Sequence, residues 1–304
     1  MTDYGHDIEF GYFLIPDAGD PAEVLATAQL ADRLGYDLLA IQDHPYQRRH
    51  LDALALAGVI MAQTERIRVV HDVANIPLRP PAVFAKAAAT LDLLSGGRFE
   101  AGIGGGGFLE AAAAMGAPAL TPGESLEALE EAVAIMRASW GDERELRFEG
   151  RHYRLGGARP GPKPAHPIGI WLGAAKPRAL ALTGRVADGW AAPLMNYVPP
   201  AGAAEAQVVI DDAARAAGRD PAEIRRLYNV PGEFAPSAPA AATDNDQAIV
   251  GPPDRWAEVL THLALDHGFG TFALIAPPDP GMLRTFIEDV APRVRQRVAT
   301  GRRR

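Results

Sequence analysis

Residues Ile67–Gly107, IRVVHDVANIPLRPPAVFAKAAATLDLLSGGRFEAGIGGGG, hold one complete cycle of the fold. IRVVHDV (Ile67–Val73) is a short β-branched apolar run, and Pro80-Pro81 then opens a segment whose apolar residues recur at helical spacing to Leu94. Ser95-Gly96-Gly97 stops that helix, and RFEAGI (Arg98–Ile103) returns to strand pattern before four consecutive glycines. A strand, a helix and a second strand with no hairpin turn between them make a βαβ unit, which sets its two strands parallel.

The same alternation continues in both directions. Upstream, IEFGYFLI (Ile8–Ile15) reads as a strand, Asp20-Pro21 caps a helix ending near Gly35, YDLLAIQ (Tyr36–Gln42) is the second strand and Leu51–Gln63 a helix. Downstream, a fourth helix spans Glu124–Trp140, and the alternating residues between Glu145 and Leu155 form a hairpin centred on Glu149-Gly150. An extended connector, ARPGPKPAHP, follows it. The cycle then resumes with strands at Ile168–Leu172, Asp188–Ala192, Arg225–Val230 and Thr271–Ile275, and with helices at Pro177–Val186, Glu205–Ala217, from Pro252-Pro253, and at Met282–Arg295. Eight strands alternating with eight helices point to a single-domain (β/α)8 TIM barrel over residues 1–304, carrying an inserted hairpin and loop region after the fourth helix. The small-residue, proline-rich stretch 231–246 reads either as an active-site lid or as a plain linker.

Composition excludes several classes of function. A chain of 304 residues, 48% hydrophobic and 22% charged, suits one barrel of roughly 250 residues plus insertions. The absence of cysteine removes disulfides, thiolate metal sites, iron–sulfur clusters and a cysteine nucleophile. A net charge of −8 argues against generic nucleic-acid binding, which relies on basic surface. No stretch approaches the ~20 apolar residues of a membrane span, and the N-terminus lacks the pattern of a signal peptide, so a cytoplasmic protein is expected. Arg302, Arg303 and Arg304 are expected to be a solvated, frayed end.

In a TIM barrel the chemistry sits where strands end. The second strand ends in Asp43-His44-Pro45-Tyr46, where His44 can exchange a proton near neutral pH and Asp43 could fix its tautomer or bond a cofactor. The same pair also reads as the start of a turn. The third strand ends in a proline-rich turn containing Asn75 and Arg79, which reads equally as a rigid support for a planar ring and as a stiff connector. Gly104, Gly105 and Gly106 permit a ligand to approach the backbone closely, without the spacing of a dinucleotide fingerprint. Gly173, Ala174, Ala175 and Lys176 precede a helix N-terminus, a place suited to an anion. Trp171, Trp190 and His71 read as core, and no histidine spacing suggests a metal site.

Four segments carry a resemblance. ADRLGYDLLAIQD (Ala31–Asp43) with His44, VANIPLRPP (Val73–Pro81), TLDLLSGGRFEAGIGGG (Thr90–Gly106) and IWLGAAKPRALALTGRVADGW (Ile170–Trp190) resemble the luciferase-like (bacterial luciferase superfamily) flavin- and F420-dependent oxidoreductases over nearly the whole chain. The resemblance implies a barrel, often dimeric, that holds FMN or the deazaflavin F420 without a covalent bond. It implies that Val73, Ala74 and Asn75 form a bulge, often with a non-proline cis peptide, under the central ring, and that Gly173–Lys176 hold the phosphate. The Asp43-His44 pair and the GAAKP turn look more like the F420 branch, which transfers hydride to or from a small organic substrate. An FMN-dependent monooxygenase is the alternative, and a flavin-binding protein without turnover a third. Many members of the F420 branch carry a glutamate proton donor after strand four. Gly107 and Phe108 occupy that place here, with Glu110 slightly later, so His44 becomes the principal acid–base candidate and Glu110 a lesser one.

Overall fold

The computed structural model describes residues 3–237 and 248–303. Eight parallel strands close into a barrel: β1 (Glu9–Leu14), β2 (Leu38–Ile41), β3 (Arg68–His71), β4 (Phe99–Gly104), β5 (Ile170–Gly173), β6 (Gly189–Ala192), β7 (Arg225–Phe234) and β8 (Thr271–Ile275). Each pairs with the next, and β8 pairs with β1. Helices α1 (Pro21–Leu34), α2 (Ala53–Ala62), α3 (Pro81–Ser95), α4 (Leu109–Ala114), α5 (Pro122–Ser139), α6 (Pro177–Val186), α7 (Pro200–Ala216) and α8 (Pro253–Leu265) fill the crossovers, followed by a C-terminal helix from Pro280 to Gly301. The eight-stranded barrel read from the sequence is therefore the fold.

Local chemistry explains where these elements begin and end. Asp20 accepts from the Glu23 N–H at 2.9 Å to start α1, and Gly35 ends it in the left-handed conformation at φ 87°. Thr121 and Glu124 form a reciprocal capping box at α5. The inserted strands Leu146–Glu149 and Arg154–Ala158 pair antiparallel. The connector after them is pinned to the barrel by Asp92, whose carboxylate accepts from Ala165 N, His166 N and His166 Nδ1.

Two layers of core follow from the strand alternation. The barrel interior holds Phe13, Leu38, Ala40, Val70, Trp171, Leu227 and Ala273, and the larger outer core lies between strands and helices. Trp190 belongs to the outer core, where its indole N–H donates to Ala174 O at 2.9 Å and so steadies the turn after β5. Both tryptophans are core, as the sequence suggested.

Several boundaries differ from the sequence reading. α7 starts at Pro200 rather than Glu205, because Pro199 at the cap and Pro200 at the first position suit a helical first turn. β7 continues to Phe234, since Gly232, Glu233 and Phe234 pair with an additional short strand, Ile249–Gly251. The first residues of the 231–246 stretch are thus packed strand, while its part from 238 onward lies outside the described residues. Arg302 is not frayed: it holds Asp3 at 2.7 Å and donates to His6 O. No described helix is long and apolar enough to cross a membrane.

Candidate active site

The C-terminal mouth of the barrel is organised around an irregularity in β3. Between the register pairs Val70↔Glu100 and Ala74↔Ile103 the third strand advances four residues while β4 advances three, so one residue is extra and the chain bulges. The Asp72–Val73 peptide bond at this bulge is cis. Val73 packs into a cradle left by two glycines: a Cβ on Gly104 or on Gly173 would lie 2.7 Å from Val73 Cγ2. Gly173 is therefore required by a side chain of the bulge, a reason sequence reasoning did not supply. Gly105 makes room for Ser125 of α5, and Gly106 turns the chain at φ 89°.

The bulge is held by an ion-pair network. Asp43, 3% exposed, accepts from Arg79 Nε at 3.0 Å, from Arg79 Nη2 at 2.9 Å and from the Asn75 N–H at 3.0 Å. Arg79 also reaches Asp52, the N-cap of α2, at 2.9 Å. The Asp43 carboxylate is thus bonded to Arg79 and Asn75 and makes no hydrogen bond to His44 among the described residues, and through these bonds it ties Arg79 to the bulge. Asn75 is buried, and its Oδ1 has no partner.

His44 stands at the rim. Its Nδ1 lies 2.6 Å from the Tyr46 hydroxyl, which takes the part the sequence reading gave to Asp43. Phe108 meets the imidazole edge-on at 5.8 Å and Tyr46 at 5.9 Å, so the loop after β4 covers His44 with an aromatic ring. Burial, with a smaller contribution from His50, holds the His44 pKa below its ordinary value. A neutral imidazole with one ring nitrogen engaged and the other without a partner among the described residues can take up a proton there. Glu110 is exposed on α4, and no hydrogen bond among the described residues joins it to His44. His71 is fully buried against Phe84 and Phe99, a core position as the sequence suggested, and neither ring nitrogen makes a hydrogen bond of good geometry among the described residues. Burial lowers its pKa and keeps it neutral.

A polar pair missed by sequence reasoning lies in the lumen. Asn229 of β7 donates through Nδ2 to Asp72 Oδ2 at 2.8 Å and to Ala192 O at 3.1 Å. β3 and β7 face one another across the eight-stranded barrel, so side chains that meet from both lie at its centre. Alternation was the available signal: Asp72 is two residues after Val70, and Asn229 two after Leu227, both interior positions. Burial pushes the Asp72 carboxyl up to about 6. The unfolded chain is then ionised from about pH 4 while the folded chain resists ionisation to about pH 6, so this group destabilises the fold above that range and not below it. Asp72→Asn is accordingly expected to stabilise the protein by about 1–3 kcal/mol at pH 7.5. Urea midpoints should rise at pH 7.5 and not at pH 4; equal shifts at both would contradict the assignment.

At the end of β5, α6 begins with no side-chain cap, leaving its first backbone N–H groups available beside exposed Lys176. Elsewhere, the rings of His262 and His267 approach with Nε2 atoms 3.3 Å apart despite their spacing of five, but no cluster of three metal-binding side chains occurs among the described residues.

Comparisons with known proteins place these features. A family model described as luciferase-like monooxygenase matches residues 8–263. An F420-dependent glucose-6-phosphate dehydrogenase of Microbacterium testaceum (strain StLB037) is 26% identical, over 96% of this chain and 99% of that protein. One of the same description from Intrasporangium calvum is 36% identical over 56% of this chain and 53% of its own length. Among solved structures, an F420-dependent secondary alcohol dehydrogenase in complex with an F420–acetone adduct superposes with a TM-score of 0.81 at 19% identity, covering 95% of this chain and 99% of that one. The coenzyme F420-dependent tetrahydromethanopterin reductase of Methanopyrus kandleri gives 0.80 at 19%, covering 94% and 99%.

Proposed function

The chain belongs to the luciferase-like monooxygenase family, and from that premise we propose that it is an oxidoreductase using the deazaflavin coenzyme F420 to move a hydride to or from a small organic substrate. Similarity along almost the full length to an F420-dependent dehydrogenase supports the coenzyme. The observation that carries the chemistry is the pairing, in one barrel mouth, of the Val73 bulge with an imidazole whose second ring nitrogen is unengaged among the described residues.

The residues present fit the coenzyme. Its ring would rest on Val73, Ala74 and Asn75, where the orphaned Asn75 Oδ1 offers an acceptor. Its phosphate would meet the uncapped N-terminus of α6 with Gly173, Ala174, Ala175 and Lys176, and Gly104–Gly106 would flank it. When bound, the coenzyme supplies the atom that accepts or gives the hydride. His44 would hold the proton exchanged with the coenzyme ring, Tyr46 fixes the imidazole from Nδ1, and the Phe108 ring packs edge-on against it. Asp43 and Arg79 keep the bulge in place from outside the barrel.

A homodimer in the cytoplasm belongs to the same proposal. Exposed Val59 on α2, with Val83 and Leu94 on α3, supports an apolar interface.

Because hydride transfer needs no dioxygen, oxidised F420 incubated anaerobically with the protein and a panel of small alcohols should lose its visible absorbance. A protein inert without air that consumes dioxygen when given reduced FMN would be a monooxygenase instead.

A further inference from the structure

Two observations at the barrel mouth concern the substrate, and both rest on the F420 reading above. The first is a shortage of cations. Among the loops that follow the eight strands, including residues 238–247 as sequence, the lysines and arginines are Arg48, Arg49, Arg79 and Lys176 alone. Arg49 pairs with Asp17 at 3.0 Å, and Arg79 with Asp43 and Asp52. Arg48 and Lys176 are left, and F420 itself brings a phosphodiester and carboxylates. The loops after β6, β7 and β8 have no basic residue at all. A sugar-phosphate dianion entering this mouth would find only Arg48 and, in the first turn of α6, Arg178 besides the lysine that faces the coenzyme phosphate.

The second is the Asp72–Asn229 pair. Both amide hydrogens of Asn229 are used, which fixes its orientation and leaves Oδ1 buried and without a partner, the residue being 2% exposed. The second oxygen of Asp72 has no partner among the described residues, and Asp72 is more accessible than Asn229. Asp72 therefore presents one oxygen, unpaired among the described residues, toward a barrel interior that holds Phe13, Val70, Trp171, Leu227 and other apolar side chains.

We propose that Asp72, aligned by Asn229, binds the reacting oxygen of the substrate on the floor of this mouth, and that the substrate is an uncharged secondary alcohol or its ketone. In oxidation the alcohol carbon loses its C–H electron pair as hydride to F420, which is reduced. The C–O bond becomes C=O, and the hydroxyl proton passes to the Asp72 carboxylate. In reverse the protonated carboxyl donates to the ketone. A carboxyl pushed up to about 6 serves both directions. Among the described residues no charged group contributes to that titration: His71 faces outward, and His44, Tyr46 and His50 lie at the rim.

The test uses F420, cyclohexanol, cyclohexanone and glucose 6-phosphate. The F420-loaded protein should oxidise cyclohexanol and leave glucose 6-phosphate untouched. Asp72→Asn should slow cyclohexanol oxidation by about 10²–10⁴-fold with F420 affinity changed less than about threefold. Its kcat/KM should lose the fall that the parent shows below about pH 6, a fall that His44→Ala retains. Asn229→Ala, acting through Asp72, should move that fall to higher pH rather than abolish it. In the protein without coenzyme, the carboxylic C=O infrared band absent from Asp72→Asn should shift when cyclohexanone is added. Glucose 6-phosphate oxidised as fast as cyclohexanol, an unchanged rate in Asp72→Asn, F420 affinity falling as far as the rate, or a band indifferent to cyclohexanone would each overturn the proposal. Failure of the parent to bind F420 would instead remove the coenzyme reading, and the infrared measurement would still decide the role of Asp72.

Discussion

Arg79→Ala is expected to destabilise the protein by about 3–5 kcal/mol, the range for removing one partner of a buried ion pair. The Asp43 side chain is 1% exposed, and Arg79 supplies two of its three hydrogen bonds through a bidentate guanidinium. Without Arg79 the carboxylate keeps only the Asn75 N–H in surroundings that water does not reach. Asp43→Asn should cost less, because no buried anion is left and Arg79 keeps Asp52. Arg79→Lys should recover little of the loss, since an ammonium cannot span both Asp43 oxygens and Asp52 with the same planar fork. Urea unfolding at pH 7 measures all three. Coenzyme affinity should fall with stability in Arg79→Ala, because the network holds Asn75 and the bulge. A midpoint equal to that of the parent would show that the pair does not hold the mouth together.

His44→Ala is expected to slow turnover by about 10²–10⁴-fold, the usual contribution of a positioned acid–base group, while F420 affinity stays within about threefold. The split matters more than the size. His44 touches Tyr46 and Phe108 and takes no part in the network that carries the bulge, so its loss should spare binding. Tyr46→Phe removes the 2.6 Å contact to Nδ1 and should give a smaller rate loss with the same unchanged affinity. Single-turnover reduction of bound F420 separates the two quantities. An unchanged single-turnover rate in His44→Ala would remove the imidazole from the chemistry.

Much of the barrel was legible because its signals are local. Asp20-Pro21 and Gly35 mark the ends of α1 by capping chemistry that a sequence displays, and Pro177 marks the start of α6 in the same way. What was not legible depends on partners distant in sequence. The last residues of β7 looked like loop because they contain proline and glycine, and the pairing with Ile249–Gly251 overrides that propensity. Asp43 looked like the partner of its neighbour His44, but its charge is met by Arg79, thirty-six residues on. Asp72 was hidden inside a strand read as apolar. Its meaning appears only when Asn229, 157 residues away, reaches it across the lumen. Alternation was enough to place both residues on the interior face, but which interior positions stand in the open mouth is settled by the packing of the other six strands.

The most direct test is titration of the protein with F420 and with FMN, followed by fluorescence under the same conditions. The site described here, with its bulge cradled by Gly104 and Gly173 and its anion-binding turn at α6, predicts saturable binding of F420 at one per chain, tighter than FMN. Preference for FMN, or saturation by neither, would contradict an F420-dependent oxidoreductase.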